Sequence, residues 1–330
     1  MNSELVKKQN KKIPLIVFGV LLASFVIYGK ITNHLSDQWF LDRIAASNFQ
    51  ASDEIVKLAE KSSMNDEGRI LFYASKPQLN ERAEFNQNCA DLLNELSMIL
   101  GCYNGQIFIF NINDERIEGV KYVTAAHEML HAAYGRLGIF EKHHINELIE
   151  KEVANTQDKN ILEQLEMYEQ LEPGQEINEM HSMLGTESRN LSPELEKYYG
   201  RYFYDRSLVV NEYEKYKEVF NEIEKHANEV EQKMTALEIE IEALSNDYEL
   251  KADKLSRDIE TFNNNARIEN SFDEVSFYAY RNEIIVRQES LSKQVDTINQ
   301  MVNEYNSYVA EMQVLGRDVQ SLQASLDSKQ

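Results

Sequence analysis

Cysteine, proline, glycine and positive charge are all scarce in this chain, and each shortage excludes something. Two cysteines, Cys89 and Cys102, in 330 residues leave no Cys-x-x-Cys pair, so a cysteine zinc ribbon is ruled out. Four prolines and 12 glycines, beside 27% charged and 42% hydrophobic residues, suit helices around a real core better than a β-rich fold. Only 34 Lys and Arg stand against 56 Asp and Glu, for a formal charge of -22. Such a balance repels phosphate backbones, so no nucleic-acid partner is expected. The acidity is mostly Glu interleaved with Lys over long stretches, as on solvated helix faces. The length allows about two domains.

What is present begins with a basic tail over 1–12, carrying Lys7, Lys8, Lys11 and Lys12. An uncharged run follows, Ile13 to Tyr28, and with Gly29 it reaches the range of about 17–25 residues that a membrane span needs. Lysines before it and few after it predict a transmembrane signal anchor over 13–29 with a cytoplasmic N-terminus. On this reading the rest of the chain is extracytoplasmic, held at the cell membrane by a single pass; a cleaved signal peptide is the alternative. Export would make a Cys89–Cys102 disulfide feasible, although spacing alone leaves both paired and free thiols open.

Residues 30–62 read as one or two juxtamembrane helices, from Leu35, Trp39, Leu41, Ile44, Ile55 and Leu58 at helical spacing. Arg69 to Ser75 is a short apolar run ending before Lys76-Pro77, more strand-like than helical. Cys89 to Leu100 has helical spacing and is stopped by Gly101, and Gln106 to Ile112, β-branched and aromatic between turn residues, is the clearest strand. Further helices are expected over about 141–155, 159–171 and 176–184, the last stopped by Gly185. Another begins at Ser192-Pro193, a cap with proline in the first turn.

From Tyr216 the pattern changes. Positions 216, 220, 223, 227, 230, 234, 237, 241, 244, 248, 251, 255, 258 and 262 step by fours and threes, and all but Lys251 and Asp258 are apolar. A second set runs from Ile284 through Leu291, Val295, Ile298, Val302, Tyr305 and Val309 to Met312, beyond a polar stretch at 263–271. Two heptad segments around a polar loop predict an antiparallel coiled-coil hairpin over 206–330, with arms on the order of 70 Å. It would serve as a spacer or docking arm; an intermolecular coiled coil is the alternative.

The chemistry lies in His127-Glu128-Met129-Leu130-His131. On a helix, His-Glu-x-x-His puts two imidazoles one turn apart on one face, the spacing that a single zinc ion needs, with a carboxylate beside them. From Tyr122 to Tyr134 the only charge is that of Glu128, as expected of a helix buried through a domain. The competing reading is a structural helix whose histidines are satisfied by hydrogen bonds.

With the strand at 106–112 shortly before it, this motif resembles the zincin metallopeptidases, in which an edge strand above the active-site helix holds an extended substrate. The resemblance implies His127 and His131 as zinc ligands and Glu128 as the general base toward a zinc-held water. The metzincin continuation is missing, since no histidine follows Gly135 or Gly138 at the required place. Asn178-Glu179-Met180-His181-Ser182 instead is similar to the Asn-Glu-x-x-Ser part of the gluzincin pattern, which implies Glu179 as third ligand. The chain departs from that pattern at Met183, where an Asp orients a ligand histidine, and in a longer gap after His131. The likeness covers two short motifs within 106–190.

Glu187 and His181 rank behind Glu179 as third ligands. Glu187 lies past the expected helix end, where it could also orient a ligand; His181 could be an oxyanion donor, as could Tyr198, Tyr199 or Tyr202, although these read more simply as core. Adjacent His143 and His144 make a poor chelate and read as surface; His34 and His226 read as incidental.

The expected fold class is therefore α+β, mostly α: an N-terminal transmembrane helix, a zincin-like catalytic domain over 63–205 and a C-terminal antiparallel coiled-coil hairpin. The expected function is that of a membrane-anchored zinc metallopeptidase acting on a protein or peptide, with Zn2+ as cofactor and a possible protein partner, or self-association, at the coiled coil. Hydrolysis of another amide, for instance in a cell-wall component, fits the same motif. A membrane-tethered coiled-coil scaffold with a vestigial or structural metal site is the reading from a different class.

Overall fold

The computed structural model describes residues 37–90, 99–156, 158–171, 174–269 and 271–329. They divide into two compact units, Met1–Val219 with Leu322–Gln330, and Phe220–Ser321.

In the first unit, α1 (Asp37–Asn48), α2 (Asp53–Lys61) and α3 (Asp66–Ala74) precede β1 (Gln78–Asn80), α4 (Arg82–Asn88), β2 (Gly101–Tyr103) and β3 (Ile107–Phe110). Then come α5 (Val120–Gly135), α6 (Ile139–Asn155), α7 (Lys159–Leu171), α8 (Glu176–Glu187) and α9 (Pro193–Tyr199). The helices α10 (Ser207–Ala266) and α11 (Glu274–Leu326) complete the chain.

The run Arg69 to Ser75 forms the end of α3 rather than a strand. Its start decides this: the Asn65 side chain accepts from the Glu67 and Gly68 amides, and Asp66 and Glu67 place negative charge in the first turn. Gly68 passes so close to the next layer that an added Cβ would lie 2.3 Å from the Tyr202 carbonyl oxygen.

The sheet has the order β1-β3-β2, with β1 parallel and β2 antiparallel to β3. Registers Leu79↔Ile109 and Cys102↔Phe108 put β3 in the centre, where all four of its side chains are buried. The expected edge strand is thus the central one, and β2 is the edge on the side of the motif helix. Cys89, at the end of α4, forms a disulfide with Cys102 of β2, their Cα atoms 6.1 Å apart.

The core gathers around α5, whose Ala125, Ala126, Ala132 and Ala133 are almost fully buried beside Met129 and Leu130. Small residues let α8 approach closely, and Gly185, which does not end α8, sits where a Cβ would meet Leu130 Cδ1 at 2.3 Å and the Tyr199 ring at 2.8 Å. Beyond the end of α5, Arg136 donates to Asp42 of α1 at 2.7 and 2.9 Å and to the Tyr103 hydroxyl of β2 at 3.1 Å. Arg206 is buried past the end of α8, donating to the Leu184 and Ser188 carbonyls, as a cation at a helix C-terminus should.

In the second unit, α10 and α11 run antiparallel: Arg287 pairs with Asp258, Gln294 reaches Leu244 and Asp247, and His226 pairs with Glu311. Leu255, Phe262 and Ile284 form an apolar cluster near the turn.

The fold class needs correction at its N-terminal end. Among the described residues no helix is long and apolar enough to cross a membrane. The expected span over 13–29 lies outside the described residues. The transmembrane helix, and with it the single-pass membrane placement, the membrane as a partner and the extracytoplasmic location, are not carried forward. Of the two helices within 30–62, α2 buries Ile55, Leu58 and Ala59 in the core, while α1 leaves Phe40, Leu41 and Ile44 exposed. The helical reading of Cys89 to Leu100 falls mostly on 91–98, also outside the described residues.

Candidate metal centre

Helix α5 presents His127 and His131 on one face, with ring centroids 4.7 Å apart. From α8, Glu179 comes between them: its two carboxylate oxygens lie 3.4 Å from His127 Nε2 and 3.4 Å from His131 Nε2. One ligand atom from each residue falls within a 4.8 Å group. Two imidazoles and a carboxylate gathered in this way form a donor set that could hold a metal ion.

Asn178, one residue before Glu179, orients the set. Its Oδ1 lies 3.1 Å from His131 Nδ1 and accepts the ring proton there, which turns Nε2 toward the centre. Sequence reasoning assigns this work to a residue at 183 or to Glu187. Met183 is buried and apolar, and Asn178 does it from the other end of the helix.

Electrostatics follow from burial and proximity. Burial pushes the Glu179 carboxyl up, but the charges of His131 and His127 outweigh it and hold the group far below the usual carboxylate range. Burial pulls His131 down, and the Glu179 charge overcomes it, raising the imidazole to about 9. Glu128 is 5% exposed; burial raises its carboxyl, partly offset by the His131 and His127 charges. A carboxyl raised in this way is suited to accept a proton near neutral pH.

Two cavities of about 300 Å³ each meet at this group, and His127 and Glu128 line both. One also exposes His131, Glu179, Asn178 and Tyr103; the other extends past Val120, Val123 and Met183 to Glu187, Tyr213 and Tyr216. Edge strand β2 borders both through Gly101. An added Cβ on Gly101 would lie 2.5 Å from Glu128 Oε1 and 2.6 Å from Thr124 Cγ2, so only glycine lets the strand pass this near the carboxyl.

The other sequence candidates lie elsewhere. His181 is fully buried, with Nε2 2.8 Å from the Tyr198 hydroxyl and the rings of Tyr134, Tyr198 and Tyr199 around it; it lines neither cavity. That removes it both from the ligand set and from an oxyanion role. Tyr198, Tyr199 and Tyr202 are core. Glu187, the last residue of α8, faces the second cavity instead of the centre. His143 and His144 are exposed, and His226 pairs with Glu311 in the second unit. His34 lies outside the described residues. Gly101 and Tyr213 escape sequence reasoning, and Asn178 enters it only as a member of the Asn-Glu-x-x-Ser run without its orienting role, because these roles depend on contacts between elements far apart in the chain.

In comparisons with known proteins, no family model, curated protein or solved structure matches the chain.

Proposed function

We propose that the chain is a zinc-dependent metallopeptidase in which His127, His131 and Glu179 hold the metal and Glu128 is the general base. The observation that carries this reading is the pair of 3.4 Å separations between two imidazole nitrogens and one carboxylate. That spacing stands beside a buried carboxyl and two open cavities. Zinc, when bound, supplies Lewis acidity that polarises a carbonyl and acidifies water.

The chain's own residues supply the rest. Glu128 takes a proton from the attacking water and passes it to the leaving amine, a transfer that its raised proton affinity favours. Asn178 keeps His131 in the tautomer with Nε2 toward the metal. The edge strand β2 can receive an extended peptide through backbone hydrogen bonds, bringing its carbonyl over Glu128. Hydrolysis of an amide in a cell-wall component uses the same residues, and a panel of substrates separates the two.

The test is metal content and peptide cleavage by the full chain after zinc loading. About one zinc per chain is expected, lost in Glu179→Ala and kept in Glu128→Gln, with cleavage lost in both. A chain that binds no zinc, or in which Glu128→Gln cleaves at the original rate, refutes the proposal. Silence of Glu128→Gln in the cell, with loss of function on truncation after Arg206, would favour the coiled-coil scaffold.

A further inference from the structure

The second cavity holds a carboxyl that the hydrolytic chemistry does not use. Glu187 ends α8, is partly buried, and accepts a hydrogen bond from Tyr213. Around it the cavity is lined by Val120, Val123 and Met183 and by the aromatic rings of Tyr213 and Tyr216. At its inner end the same cavity is bounded by His127 and Glu128. A substrate whose carbonyl lies over Glu128 can send a neighbouring side chain into this space.

A carboxyl among aliphatic and aromatic walls is costly unless something compensates its charge. Burial does push Glu187 up, with the charges of His127 and Lys217 and the Tyr213 hydrogen bond acting the other way and Asp158 adding to it. If the cavity served a leucine or phenylalanine side chain, a neutral group at 187 would do better. A lysine or arginine side chain fits both the apolar walls and the carboxyl. Its aliphatic stem would lie along Val120, Val123 and Met183 and its head would pair with Glu187, on the side away from Lys217, whose Nζ stands 5.5 Å from the centroid of the Tyr213 ring.

We propose that this cavity is the side-chain pocket of the site and that Glu187 makes it selective for a lysine or arginine residue next to the cleaved bond. The proposal rests on the metallopeptidase reading for the position of that bond, while the pocket's preference for a cation can be measured without cleavage.

The experiment uses zinc-loaded full chain carrying Glu128→Gln, titrated calorimetrically with two peptides that differ only in lysine against norleucine at one position. The lysine peptide is expected to bind at least tenfold more tightly, and Glu187→Leu should abolish or invert that preference with zinc content unchanged. Glu187→Gln, which keeps shape and removes charge, gives the same answer if the leucine variant does not fold. Equal or tighter binding of the norleucine peptide, no binding of either, or an unchanged preference after both substitutions overturns the proposal. In chain with Glu128 restored, selective binding of lysine peptides with no cleavage of any would sink the peptidase reading and leave the pocket assignment standing. Cleavage indifferent to lysine, arginine, norleucine or phenylalanine would do the reverse.

Discussion

Replacing Gly101 by alanine tests the coupling between the edge strand and the proposed base. The added methyl would stand 2.5 Å from Glu128 Oε1 and 2.8 Å from Glu128 Cγ, against an ordinary contact of 3.4 Å or more. Either the Glu128 carboxyl retreats by about 0.9 Å or β2 moves away from α5 by a similar amount. The strand is tied by its ladder to β3, by the Cys89–Cys102 disulfide and by the Tyr103–Arg136 hydrogen bond, and Thr124 Cγ2 stands 2.6 Å from the same methyl, so the displacement is shared between the Glu128 carboxyl and the seat of β2 on α5. A misplacement of about 1 Å costs on the order of 10²-fold in rate, and overpacking a buried contact about 1–3 kcal/mol in stability. His127, His131 and Glu179 do not touch the new methyl among its nearest neighbours, so zinc binding should persist. The assay is therefore threefold: zinc per chain, kcat/KM on a cleaved peptide, and denaturant midpoint. A folded, zinc-replete Gly101→Ala chain that cleaves at the original rate would show that Glu128 is not the base, or that β2 does not abut it.

Three further outcomes are expected. Asn178→Ala should weaken zinc binding about 10–100-fold, as loss of a residue that orients a metal-binding histidine does, measured by competition with a chelating dye. In the metal-free chain His131 is raised from 6.5 to about 9, so the stability from its pairing with Glu179 is fully present below 6.5 and fades as pH rises through 9. Melting temperature should fall over that window without zinc, and the fall should shrink when zinc holds the same imidazole neutral. Reducing the Cys89–Cys102 disulfide, which closes a loop of 13 residues in sequence separation, should lower stability by about 3 kcal/mol, read from denaturant midpoints with and without reductant.

What the sequence made legible follows from the range of the interactions involved. Helices marked by their own periodicity or terminal residues, such as Lys159–Leu171 and Pro193–Tyr199 with its proline in the first turn, need only local information. The antiparallel course of α10 and α11 is written in two heptad sets and a polar turn. The run Ile70 to Tyr73 misleads because four apolar residues fit a strand or a buried helix equally, and the deciding cap lies before them at Asn65. Strand β2 is three residues long, too short to show alternation, and exists through its pairing with β3. The central position of β3 is likewise a property of pairings that no local pattern records.

The candidate centre divides along the same line, and the division explains why Glu179 and Glu187 read so differently. Glu179 stands in a short motif whose neighbour Asn178 also contributes, so its place opposite His127 and His131 leaves a trace in sequence. Glu187 leaves no such trace, because Gly185 reads as a stop. The helix continues through Gly185 because the space a side chain would need there is filled by Leu130 and Tyr199, and Arg206 satisfies the carbonyls at its end. Glycine therefore serves close packing of α8 on α5 at this position, and the turn it usually signals does not occur. Eight residues of helix separate the two carboxylates by about 12 Å along one axis. One rigid element thus sets both the metal group and the floor of the neighbouring cavity, and its seat against α5 fixes the distance between them. Zinc affinity and side-chain preference should therefore separate cleanly under substitution at 179 or 187, and move together only when the α5–α8 contact itself is disturbed.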